Sequence, residues 1–129
     1  MNKEKDLFTE ITKDEYSEKN SKIFNIDKYF YLLGSKYRAN RVFTSSYSYL
    51  EIDIIEKRSN GTDGDNKIKL TVTLCDDDWF MVKMDKYVWM VSWRRRTQTT
   101  YWMCDQIDGL ISLIDTVKDD IWGFLTPSY

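Results

Sequence analysis

There is no histidine in the 129 residues, one proline, one alanine and only two cysteines. Each scarcity removes some chemistry. Without histidine no Ser-His or Cys-His pair can activate a nucleophile, and the commonest general base is missing. Cys75 and Cys104 have no C-x-x-C spacing and no histidine to join them, so a zinc site lacks its ligands. Neither a glycine-rich phosphate loop nor a G-x-S-x-G elbow occurs. No apolar run approaches a membrane span, and Met1-Asn2-Lys3-Glu4-Lys5-Asp6 offers no apolar segment of a signal peptide. The expectation is a non-enzyme with no catalytic residues, no cofactor, no metal and no membrane. Its expected place is intracellular, in the cytoplasm or nucleus of a host cell or inside a virion. The sequon Asn60-Gly61-Thr62 is incidental in such a setting.

What the chain does contain argues for a folded binding protein. A hydrophobic fraction of 42% with 16% aromatics is too rich for a disordered chain, and the length suits one domain with a core. Tryptophan and tyrosine favour positions with one apolar side and one wet end, as a binding surface or a Trp-rich core provides. The formal charge of −2 sets up no global field toward nucleic acid, so any such role needs a local basic patch. Plentiful Lys, Asn, Asp, Ile and Tyr beside scarce Ala and Pro is the usage of AT-rich genomes, those of many large viruses and parasites among them, and a viral origin is one expectation on that ground.

Hydrophobic period divides the chain into a polar N-terminal arm, residues 1–20, and a single α+β domain, residues 21–129. Ile26, Tyr29, Phe30, Leu33 and Tyr37 match a helical stripe that Asp27 can cap, although Tyr29 to Leu33 also fits a buried strand. In Tyr47–Lys57 the residues Leu50, Ile52 and Ile54 alternate with Tyr49, Glu51 and Asp53, as in a half-buried antiparallel strand. Ser59 to Asn66 is a loop, and Lys67–Cys75 alternates again, so the two segments form a hairpin. Trp79–Met84 and Tyr87–Trp93 are expected as strands joined at Asp85-Lys86, apolar on both faces. Arg94 to Gln98 is the next expected turn and Thr99–Cys104 the last strand. Ile107, Leu110, Ile111, Ile114, Val117 and Ile121 form one stripe of a C-terminal helix, with Asp108, Ser112, Asp115 and Asp119 opposite. Asp105 stands at its N-cap, and Gly123 and Pro127 mark its end. The expected fold is an antiparallel four-to-five-stranded sheet with the C-terminal helix packed on one face and an N-terminal helix before it.

The candidate site is the stretch from Trp89 to Arg96. Arg94, Arg95 and Arg96 beside Trp89 and Trp93 can hold phosphates while bases stack on the rings. Trp79 and Lys83 share a face on the preceding strand and join the set. The competing reading makes the rings core or a dimer seam and the arginines a solvated turn. Asp76-Asp77-Asp78 has the oxygen ligands of a cation site, but consecutive acids in a turn point in different directions. Asp63-Gly64-Asp65-Asn66 lacks the glutamate that closes a calcium loop. Glu51 and Asp53 lie on the wet face of a strand, where acids ordinarily are. Cys75 and Cys104 each end a strand and suit small buried hydrophobes.

In the C-terminal helix Gln106, Leu110, Ile114, Val117 and Asp119-Asp120-Ile121 are similar to the helix of the PC4-type single-strand-binding transcription cofactors. In that helix a glutamine precedes spaced aliphatics and an acidic pair. The strands-then-helix order resembles this family as well, and more loosely the whirly and Pur-type modules. The likeness covers about a fifth of the chain. It implies a homodimer whose sheets bind single-stranded DNA or RNA, with the helices on the opposite face and at the dimer seam. The leading expectation is thus a non-catalytic, single-stranded nucleic-acid-binding protein. Its rival is a protein-interaction or assembly subunit of a larger complex or virion, whose partner is another protein.

Overall fold

In chain order the elements are β1 (Phe8–Ile11), α1 (Lys13–Lys19), β2 (Ile23–Phe24), α2 (Asp27–Lys36), β3 (Ala39–Phe43), β4 (Ser48–Lys57), β5 (Asp63–Cys75), β6 (Trp79–Trp89), β7 (Arg95–Asp105), α3 (Gln106–Asp119) and α4 (Ile121–Leu125). The computed structural model describes residues 7–75, 79–89 and 95–125, with Trp89 and residues 95–97 described by backbone only. All strand pairs are antiparallel, in the order β1-β7-β6-β5-β4-β3, and β2 pairs with β5 beyond the end of β4. The α+β class, the antiparallel sheet, the helix at the N-terminal side and the closing C-terminal helix are as the sequence predicts. The sheet is wider than predicted, because β1, β2 and β3 add strands too short to show a period.

Alternation decides which side is core. Leu50, Ile52 and Ile54 of β4, Ile68, Leu70, Val72 and Leu74 of β5, and Phe80, Val82 and Met84 of β6 point to one face and are buried. α3 covers that face with Leu110, Leu113, Ile114 and Val117. α2 adds Leu33, and α4 adds Leu125. Burial of this continuous apolar layer supplies the main stabilising term. The first stretch, predicted as a polar arm, carries β1 against β7 and α1 over the opposite face.

Several local expectations are corrected. β6 runs unbroken through Asp85 and Lys86, where a turn was predicted. Asp85 lies on the wet face and accepts a 2.6 Å bond from Thr99 Oγ1, while the Lys86 ammonium sits 5.9 Å from the Phe124 ring centroid. A long amphipathic stem explains how Lys86 occupies a strand position on the buried side. Arg95 to Gln98 belong to β7 rather than to a turn. The hairpin loop is tighter than 59–66: Arg58 N–H donates to Thr62 O, and Gly61 supplies the left-handed φ of 86°. Asp27 is the first residue of α2, not its cap; Asn25 Oδ1 accepts from Asp27 N–H instead, at 2.8 Å. The Asp27 carboxylate accepts from Ser48 Oγ. Asp105 occupies the N-cap position of α3 without a side-chain capping bond. α3 stops at Asp119, and Gly123 lies inside α4 rather than at a helix end.

Candidate nucleic-acid interface

The face opposite the helices is assembled from the second set of alternating residues on β4 to β7. Residues directly opposed across an antiparallel pair share a face, so the register arranges them in ranks. One rank is Glu51, Thr71, Lys83 and Tyr101; the next is Asp53, Lys69, Asp85 and Thr99. Nearer the hairpin tips, Ile55 opposes Lys67, Lys67 opposes Tyr87, and Tyr87 opposes Thr97. Trp89 opposes Arg95 one rank further on.

One end of this face is roofed. Tyr16 of α1 lies 4.8 Å, centroid to centroid, from Tyr101, and Asn20 Oδ1 accepts from Thr73 Oγ1 at 2.8 Å and from Cys75 Sγ at 3.2 Å. Beneath them Met81 is 0% exposed although it lies outside the main core. Burial pushes the Tyr16 phenol up to about 12, with Cys75 and Tyr101 adding to the shift. Further along the face Lys83, Asp85 and Lys69, and toward the tips Lys67 and Tyr87, are half-buried.

Charge changes along the face. The two middle ranks hold Lys69 and Lys83 against Glu51, Asp53 and Asp85, and one oxygen of Asp53 is buried without a hydrogen-bond partner. On β6 and β7 the tip carries Arg95 and no carboxylate, and Lys67 of β5 opposes Tyr87 there. The Lys67 ammonium lies 5.6 Å from the Tyr87 ring centroid, in cation–π range. The acids of the adjoining hairpin are occupied by their own cations. Asp63 binds Lys57 and sits 3.8 Å from Arg38, and Asp65 sits 3.5 Å from Arg58.

The structure distributes the predicted residues unevenly. Lys83 stands on this face opposite Tyr101, beside the part that α1 roofs. Trp89 and Arg95 occupy opposed register positions at the tip of that face, whereas Arg96 opposes Val88, a residue packed against the core, and so falls on the other face. Trp93 and Arg94 lie outside the described residues, as do Asp76, Asp77 and Asp78. Trp79 opposes Cys75 and Asp105 at the far end of β6. Ten steps along the strand separate it from Trp89, about 33 Å. Lys67, Lys69, Tyr87 and Tyr101 belong to the same face and were not in the predicted set. The period-two pattern of Lys67–Cys75 is the signal that marks the first two.

Cys75 and Cys104 are both buried, and burial pushes the Cys104 thiol up to about 12, far from a reactive thiolate. Among the described residues no three His, Cys, Asp or Glu side chains gather as metal ligands. No helix among them is long and apolar enough to cross a membrane. Comparison with protein families, curated proteins and solved structures gives no match for this chain.

Proposed function

We propose that this protein is a non-catalytic binder of single-stranded nucleic acid, engaged at the tip of the β5 to β7 face opposite α3. The observation that carries this reading is the charge gradient along that face. On β6 and β7 no carboxylate follows the Asp85–Thr99 pair, the tip beyond holds Lys67 over Tyr87 with Trp89 opposite Arg95, and the β5 acids Asp63 and Asp65 are held by Lys57, Arg38 and Arg58. Arginine and lysine neutralise phosphates, and aromatic faces accept bases of any sequence. The remaining arginines, Arg94 and Arg96, flank the same end of the strand pair in sequence.

The test is a fluorescence-anisotropy titration of labelled oligo-dT at low and physiological salt. Wild-type protein binds in a salt-sensitive manner. Each phosphate neutralised on a single strand adds about 0.7 to the slope of log affinity against log salt, so Arg94→Ala/Arg95→Ala/Arg96→Ala lowers that slope by about 0.7 for each arginine that meets a phosphate. Tyr87→Ala costs about 1–3 kcal/mol through weaker stacking. Equal affinity of the triple variant would remove the site. A second reading, an assembly subunit meeting another protein, is favoured by apolar side chains exposed elsewhere: Tyr31 is 79% exposed and Phe43 62%, with Leu32 and Phe24 also exposed. Absence of oligo-dT binding at low salt, with self-association abolished in Tyr31→Ser/Phe43→Ser, would put that reading first.

A further inference from the structure

A different feature lies on the β4 edge. β3 pairs with β4 from Phe43↔Ser48 to Ala39↔Ile52, and no strand among the described residues pairs with the outer edge of Asp53–Lys57. A groove of about 530 Å³ opens there. Every residue from Ile52 to Lys57 lines it. Successive strand side chains alternate between faces, so a cavity lined by six consecutive residues looks onto the strand's edge and not onto either face. Along such an edge alternate residues present unpaired N–H and C=O groups, which template a further strand.

The walls specify what kind of strand. One wall is the end of α2 with Lys36, Tyr37 and Arg38; the other is Lys118, Ile121 and Trp122, the last 51% exposed. Lys36, Arg38, Lys57 and Lys118 give the lining four cations against the two carboxylates of Asp53 and Glu56. The Lys118 and Lys36 ammonium groups lie 5.2 and 5.7 Å from the Tyr37 ring centroid. Lys36 and Arg38 meet Asp115 and Asp63 at 3.8 Å through exposed side chains, and exposed pairs of this kind contribute only about 0–1 kcal/mol. They can exchange for an incoming acid at little cost. The single carboxylate of Asp63, shared by Lys57 and Arg38, shows the coordination these cations provide.

We propose that the outer edge of Asp53–Lys57 is a docking site for an extended acidic peptide, which adds as a strand, sets its carboxylates on Lys36, Arg38, Lys57 and Lys118, and rests its apolar side chains on Ile121 and Trp122. A small anion uses the cations but leaves the strand edge unpaired. Strand addition uses both, with main-chain bonds for affinity and alternate side chains for selection.

The test uses the intact chain, isotope-labelled for amide NMR, and a fluorescein-labelled hexapeptide alternating glutamate and valine. Binding shifts the amides of Asp53–Lys57 and the Trp122 indole. The hexapeptide with lysine for glutamate binds at least tenfold more weakly, and so does the acidic peptide toward Lys36→Glu/Lys118→Glu, whose circular dichroism stays that of wild type. Should that variant not fold, an acidic peptide N-methylated on alternate residues serves against wild type, and it too binds at least tenfold more weakly. Equal binding of the N-methylated or the lysine peptide overturns the proposal, the first outcome indicating a site for a small anion. Shifts confined to Lys67 and Tyr87 overturn it as well.

Discussion

Two residues at the β7–α3 junction show how one side chain decides local stability. Gln106 begins α3 with a φ of 59°, the left-handed region that a non-glycine residue enters at a cost of about 1–2 kcal/mol. Gly109, one turn later, has an ordinary φ but no room: a Cβ there would lie 2.2 Å from the Leu7 carbonyl oxygen, which is fixed by the Asp105 N–H at 2.9 Å. Helix propensity alone predicts that Gly109→Ala gains about 1 kcal/mol. The backbone contact reverses the sign, and we expect a loss of about 1–3 kcal/mol, the range of overpacked cores. Gln106→Gly relieves the strained φ but adds freedom to the unfolded chain, for a net gain of about 0.5 kcal/mol. Urea midpoints at constant m-value read both changes. A Gly109→Ala midpoint at or above wild type would mean that β1 yields its place against α3 without cost.

Among the elements, those the sequence made legible have a period long enough to count. The two alternating strands β4 and β5 and the stripe of α3 are of this kind. Leu113 escaped the predicted stripe, yet it is fully buried, because α3 packs into the groove between sheet and α4 and so buries a wider arc than one stripe. β1, β2 and β3 have four, two and five residues, too few for alternation, and are held by their neighbours' edges. For α1 the signal was present as a capping box: Glu15 N–H donates to Thr12 Oγ1, and Thr12 N–H donates to the Glu15 carboxylate. The helix has seven residues, none buried, and is tied down through Tyr16 and Asn20. Thr12→Ala removes a cap of about 1 kcal/mol. The expected result is faster hydrogen exchange across residues 13–20 with an unchanged global midpoint, as for a locally opening unit. Uniform acceleration across the sheet would show α1 to be part of the cooperative core.

At the scale of the whole molecule, sequence could place Lys67, Lys69 and Lys83 on strand faces but could not say which face α1 roofs or where β3 ends. The partly roofed face and the edge groove arise from contacts between segments far apart in the chain: Tyr16 with Tyr101, Lys36 with Asp115, Arg38 with Asp63. Burial across the same assembly sets its alkaline limit. The Cys104 thiol is held up at about 12 against an ordinary 9.0, and the Tyr16 phenol at about 12 against 10.0; burial and the bond to Asp115 raise Tyr37 as well. Below pH 9 folded and unfolded chains both keep the Cys104 proton. Above it the unfolded chain releases that proton while the folded chain retains it, so stability falls as pH rises. Lys86 acts in the opposite sense, because burial lowers its affinity for the proton. The unfolded chain then binds more protons than the folded one, and stability rises with pH toward 10.5 from that group alone. One lowered group stands against three raised ones, so the net expectation is a decline beginning near pH 9. Cys104 accounts for about 1.4 kcal/mol of it by pH 10, one pKa unit's worth. Cys104→Ala is less stable at neutral pH because of the cavity it leaves, but its stability does not decline between pH 8.5 and 9.5, where that of wild type already does. Parallel curves for the two proteins across that interval would mean that the buried thiol does not govern the alkaline limit.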